Sequence, residues 1–94
     1  MNYVFRPEFV LVHVAGAHIV VSLRPAWGKR PVVMQIAEVS SRIWEGIQNN
    51  TPKDVILKDI VDSLGMSEEN AKQNYEGFIR YCKKFDYFLP EDDS

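Results

Sequence analysis

Two histidines and one cysteine are the side chains of this 94-residue chain best suited to metal, acid–base or nucleophilic chemistry. His13 and His18 flank Ala15-Gly16 within FVLVHVAGAHIVVSLR, which reads as two β-rich runs around a turn. With Ala15-Gly16 as a two-residue turn, His13 stands opposite His18, Leu11 opposite Val20, Val10 opposite Val21, Val12 opposite Ile19 and Val14 opposite Ala17. Ala-Gly is a weaker turn signal than Asn-Gly, and a glycine bulge turn would move this register by one. Facing imidazoles are half of a metal site or a proton-sensitive pair. No Asp, Glu or Cys stands at a sequence spacing that completes such a site, so the expectation is a solvent-facing or partly covered pair. Cys82 falls in an apolar helical stripe, the setting of a core thiol. No Ser/His/Asp or Cys/His arrangement and no glycine-rich phosphate loop is found. The residues thus point away from an enzyme, with no catalytic residue, metal or cofactor expected.

Composition bounds the partners. The chain has length for one core and is expected to be a single domain over residues 1–94, with an ordered core at about 5–89 and an acidic tail at 90–94. Its formal charge is −2, and Glu91, Asp92 and Asp93 contribute three of its thirteen acids. Neither the whole nor the part before that tail has the strongly basic balance of a nucleic-acid-binding domain. MNYVFRPEF lacks a basic region followed by an apolar run, and no stretch has membrane-spanning length. With a lone cysteine, the expected setting is reducing and cytoplasmic, without a membrane partner.

The elements that position these residues are organised around PVVMQIAEVSSRIWEGI. Val32, Met34 and Ile36 alternate with Val33 and Gln35, the period of a strand with one buried face. Val39, Ile43, Trp44 and Ile47 then share one helix face. In the preceding hairpin, the face carrying Val10, Val12, Val14, Ala17, Ile19 and Val21 is expected to be the core face. PAWGKRP is expected to be a loop anchored by Trp27. Thr51-Pro52-Lys53-Asp54 starts a second helix with a cap and a proline at its first position. Val55, Ile56, Ile60 and Leu64 form its inner face, and Gly65 stops it. Ser67-Glu68-Glu69 caps a third helix whose inner stripe is Ala71, Tyr75, Phe78, Ile79, Cys82 and Phe85. The expected fold is α+β and winged helix-turn-helix-like, with three N-terminal antiparallel strands followed by three helices. The third strand ends the sheet in sequence and is expected to lie at its edge, where free N–H and C=O groups can bind another chain.

Three stretches, FVLVHVAGAHIVVSL, VVMQIAEVSSRIWEGI and SEENAKQNYEGFIRYCKKFDYF, together resemble the PqqD-like family, also called RiPP recognition elements. The resemblance spans roughly residues 9–89. Members commonly have a strand ending in Leu-Asn-Glu, where this chain has Ile36-Ala37-Glu38, so a helix-capping side chain is lost. The resemblance implies a non-enzymatic peptide chaperone. Such a protein binds the leader of a ribosomally made precursor peptide and presents it to a modifying enzyme, often a radical SAM enzyme. It also implies that the leader adds as a strand to the third strand, beside the last helix.

The expected site follows. Main-chain groups from Val32 to Ile36, through Val33, Met34 and Gln35, would pair with the leader. Its side chains would settle where Tyr75 and Ile79 border a basic flank made by Lys72 and Lys83. A proline at one of Val33 and Gln35, but not at the other, is expected to block pairing. The alternative that the element order admits is a winged-helix DNA-binding regulator. Against it, Lys72, Arg80, Lys83 and Lys84 are offset by Glu68, Glu69, Glu76 and Asp86. A strand edge can also pair with its own copy, so a monomer and a homodimer, through the third strand or by hairpin exchange, are both expected states.

Overall fold

Ala15 and Gly16 take positive φ angles of 48° and 81°, a two-residue turn whose twist matches that of the strands it joins. The turn sets the register of β1 (Phe9–Val14) against β2 (Ala17–Ser22), and the pairs are those expected, His13 with His18 and Val14 with Ala17 among them. β3 (Val33–Ile36) pairs antiparallel with the other side of β2, from Val21–Val33 to His18–Ile36. Among the described residues the order is β1-β2-β3, so β3 is an edge of that sheet. The computed structural model describes residues 3–22 and 33–89. Val32, Trp27 with its expected loop, and the acidic tail lie outside the described residues.

Three helices follow: α1 (Glu38–Gln48), α2 (Lys53–Leu64) and α3 (Glu68–Lys84). The fold is therefore α+β, three antiparallel strands and then three helices. Among the described residues no helix is long and apolar enough to cross a membrane. α1 buries Ile43, Trp44 and Ile47, with Val39 half-buried beside them, as its periodicity predicts. Its first residue follows Ala37 with no side-chain cap, the consequence of alanine at the capping position. α3 does have one: Ser67 Oγ accepts from the Asn70 N–H at 3.1 Å. Gly65, at φ 67°, closes α2.

Several expectations are corrected by the packing. The core-facing side of the hairpin is the one carrying Phe9, Leu11 and Val20. Val20 is fully buried, whereas Val14 on the opposite side is 55% exposed. Val10, Val12, Ile19 and Val21 lie on one side and Phe9, Leu11 and Val20 on the other, so alternation alone left both sides apolar. The helices pack on the second side, together with Met34 and Ile36.

At the start of α2, Pro52 rather than Thr51 holds the cap position and its carbonyl accepts from Val55 and Ile56. The Thr51 N–H is instead bound to Gly46 O at 2.8 Å, keeping Thr51 with the end of α1. Val55 is exposed rather than inward. Phe85 is half-exposed because α3 ends at Lys84 and Asp86 turns the chain at φ 62°. Tyr87 and Phe88 take the core positions beyond it.

The segment before β1 is also part of the core. Phe5 stacks on Trp44 with ring centroids 3.8 Å apart and forms a bridge with Phe88. Arg6 fastens the two ends, its guanidinium donating to both Asp86 carboxylate oxygens at 3.0 Å and to the Asp86 carbonyl at 2.9 Å.

Candidate functional site: the groove beside the free strand edge

The two-residue turn decides which backbone groups of β3 are free. In such a hairpin Val14 and Ala17 exchange both hydrogen bonds, and hydrogen-bonded pairs alternate along the ladder from there. Ala17, Ile19 and Val21 thus direct their N–H and C=O groups to β1, while His18 and Val20 direct theirs to β3. The partners of the latter two, Ile36 and Met34, point back toward β2. Val33 and Gln35 therefore present their backbone groups at the open edge. Residues two apart share an edge, so the expectation that proline would discriminate between Val33 and Gln35 is corrected.

Beside this edge a groove of about 550 Å³ runs between β3 and α3. Met34, Gln35, Ile36, Ala37 and Ser40 form one side, and Gln73, Asn74, Gly77, Phe78 and Tyr81 the other, over Trp44, Cys82 and Tyr87. None of these residues is charged. At one end Tyr81 bridges the groove, its hydroxyl donating to Met34 Sδ at 3.1 Å, with the Tyr87 hydroxyl 3.9 Å from the same sulfur. Toward the N-terminal end of α1 the polar groups of Ser40, Gln73 and Asn74 line the groove. Asn74 is oriented by a bond from Nδ2 to Asn70 O at 2.8 Å. Gly77 contributes no side chain, and a Cβ built there would meet only the Arg80 guanidinium, at 4.0 Å.

Burial governs the acid–base behaviour of the groove floor. It pushes the Cys82 thiol up to about 12. Burial, then the neighbouring Tyr81 and Cys82, pushes the Tyr87 phenol up to about 12 as well. Both groups are protonated at neutral pH, and a thiol so placed is a poor nucleophile.

Of the expected site residues, the structure brings Met34, Gln35 and Ile36 to the groove and puts Val33 at its open edge. Tyr75, Ile79, Lys72 and Lys83 lie on another flank of α3. Tyr75 and Ile79 are core residues, each 7% exposed. The ammonium of Lys53 sits 5.3 Å from the Tyr75 ring centre. Lys72 lines a separate cleft with Leu57 and Val61 of α2, and the Lys83 ammonium lies over the Tyr3 ring at 5.3 Å. Thus the groove is bordered by the neutral flank of α3, not by the basic one. Sequence reasoning missed Gln73, Gly77 and Tyr81 as lining residues. The available signal was their common helical face with Asn74, one turn around from the core stripe. Among the described residues, no three His, Cys, Asp or Glu side chains gather as metal ligands.

No protein-family model and no curated sequence matches the chain. Among solved structures, the chain is similar to that of TbiB1 in complex with the TbiA(beta) leader peptide, with a TM-score of 0.72 and 16% identity. The alignment covers 99% of this chain and 100% of that one. At that identity the likeness shows a common fold.

Proposed function

We propose that this chain is a non-catalytic member of the PqqD-like type. In this reading it binds the leader of a ribosomally made precursor peptide as an added strand on β3 and presents it to a modifying enzyme. A radical SAM enzyme is the class that the family resemblance implies. The observation that carries the reading is the pairing of a strand edge that no other described strand covers, at Val33 and Gln35, with an uncharged groove alongside it. Strand addition takes affinity from main-chain bonds and specificity from pockets for alternate side chains, and both parts stand side by side here. Support also comes from the shared fold with TbiB1, whose solved complex contains a leader peptide.

In this reading Val33 and Gln35 take the main-chain role expected of the strand, whereas Met34 and Ile36, whose main chain faces β2, line the groove opposite Tyr81, Gln73 and Asn74. A winged-helix regulator of DNA is disfavoured at this site, because phosphate contacts need positive charge and the lining has none.

The test uses labelled synthetic peptides spanning the short reading frames beside the gene, titrated by fluorescence anisotropy against the chain and its Gly77→Phe variant. Gly77 faces open space, and replacing glycine within a helix does not cost helix propensity. The variant should therefore fold, fill the groove, and weaken binding of the cognate peptide at least tenfold. Equal binding by both proteins would remove the groove from the function.

A further inference from the structure

His13 and His18 stand opposite each other at the position just inside the pair that closes the hairpin. This is a non-hydrogen-bonded position, where side chains of opposite strands come closest. Their Nδ1 atoms are 2.8 Å apart, with the rings at 88°. On its far side His13 is held by α1, with Nε2 2.6 Å from Glu45 Oε1. An ionised carboxylate only accepts, so a neutral His13 donates from Nε2 and presents a lone pair at Nδ1. His18 then supplies the proton between the two rings from its own Nδ1.

We propose that this juxtaposition is a binding site for a divalent transition ion of the copper(II) or nickel(II) class. The ligands are Nδ1 of His13 and Nδ1 of His18, and Glu45 is a positioning residue. The proton between the rings has a place to go: His18 changes tautomer and carries it on Nε2, for which no described residue is a partner. No proton is released from the neutral pair.

The donor set selects the class of ion. Imidazole nitrogens completed by water suit copper(II) and nickel(II), which stand highest in affinity among the divalent first-row ions. The 2.8 Å between the two Nδ1 atoms is the length of the hydrogen bond that the ion would replace. Glu45 does here what carboxylates do behind metal-bound histidines, fixing the tautomer and the ring orientation. It reaches the nitrogen of His13 that points away from the partner ring, so it is not a third ligand. Water completes the coordination. The His13 and Glu45 side chains are 48% and 49% exposed, which leaves an open path for the ion.

Copper(II) titrated into the chain and followed by electron paramagnetic resonance, with the oxygen-donor citrate as competitor, tests the site. One ion per chain coupled to two nitrogens is expected. His13→Asn and His18→Asn should each lower affinity at least tenfold, and Glu45→Gln about tenfold, the lower end of the usual loss for an outer-shell partner. Signals without nitrogen coupling, or two-nitrogen coupling that survives in the His13→Asn/His18→Asn double variant, would overturn the assignment. A second measurement needs no variant: substoichiometric nickel(II) should broaden the ring proton resonances of His13 and His18 first. Earlier broadening elsewhere would equally overturn it.

Discussion

Trp44 joins three parts of the chain at once. It is 1% exposed and its ring meets Phe5 of the N-terminal segment, Phe78 of α3 and Tyr87 of the C-terminal segment, while its indole N–H donates to Gln48 Oε1 at 3.1 Å. Truncating a buried aromatic side chain costs about 3–5 kcal/mol, and a small domain has about 5–15 kcal/mol in total. Trp44→Ala should accordingly bring the urea midpoint down by a large fraction of its value, and an unchanged midpoint would contradict this packing. Cys82 offers a contrasting residue-level test. Its thiol, held up to about 12 by burial, should resist disulfide-exchange labelling at pH 8 until the protein unfolds. Cys82→Ala should cost about 1 kcal/mol, the usual scale of a single substitution, and leave peptide binding within a few-fold. The sign of the pH dependence follows from the same burial. Cys82 and Tyr87 ionise more easily in the unfolded chain, near their ordinary values of 9.0 and 10.0, than in the folded one, where burial raises both to about 12. Their contribution is whole below about pH 9 and is lost as the pH rises through 12, so the melting temperature should fall across that window.

Between elements, the close approach of α1 to α2 depends on Gly46. A Cβ there would stand 2.6 Å from Cγ1 and 2.8 Å from Cδ1 of the buried Ile56. Gly46→Ala should destabilise the fold by about 1–3 kcal/mol through overpacking, despite alanine's better helix propensity; chemical denaturation measures it. β3 gives a paired prediction. Gln35→Pro removes an outward N–H and should abolish strand addition while leaving the sheet folded. Met34→Pro removes a bond to β2 and should unfold the edge. Much at this scale was legible beforehand. Ala15-Gly16 gave the hairpin register, the spacing of Ile43, Trp44 and Ile47 gave the inner face of α1, and Ser67 and Gly65 marked helix ends. The buried side of the hairpin was not legible, because both sides are apolar and only the packed helices distinguish them. Nor was the shift of the cap from Thr51 to Pro52 legible, since Thr-Pro is a good capping sequence and only the folded chain shows the Pro52 carbonyl accepting the first helical bonds.

At the scale of the whole molecule, the groove exists only once strand, helix and C-terminal segment are assembled. Met34, Tyr81 and Tyr87 are far apart in sequence and meet at one sulfur. Helical spacing set Lys72 and Lys83 together on one flank of α3, but it carried no information on which flank β3 would face. The same lack hid Glu45 from His13, whose contact crosses from β1 to α1. The outcome changes the expected electrostatics. With an uncharged lining, peptide affinity should change less than about twofold between 50 and 500 mM salt, since screening acts on charges that the groove does not have. Charge reversal at Lys72 and Lys83 should likewise leave it unaltered.

Strand addition on β3 is tested most directly by titrating the cognate leader peptide into the isotopically labelled chain and following every backbone amide. The amides of Val33 and Gln35, which face the open edge, should move most and gain protection from solvent exchange, with Gln73, Gly77 and Tyr81 shifting across the groove. Shifts centred on the Ala15-Gly16 turn or on α2, with Val33 to Ile36 unmoved, would contradict the proposed mode of binding.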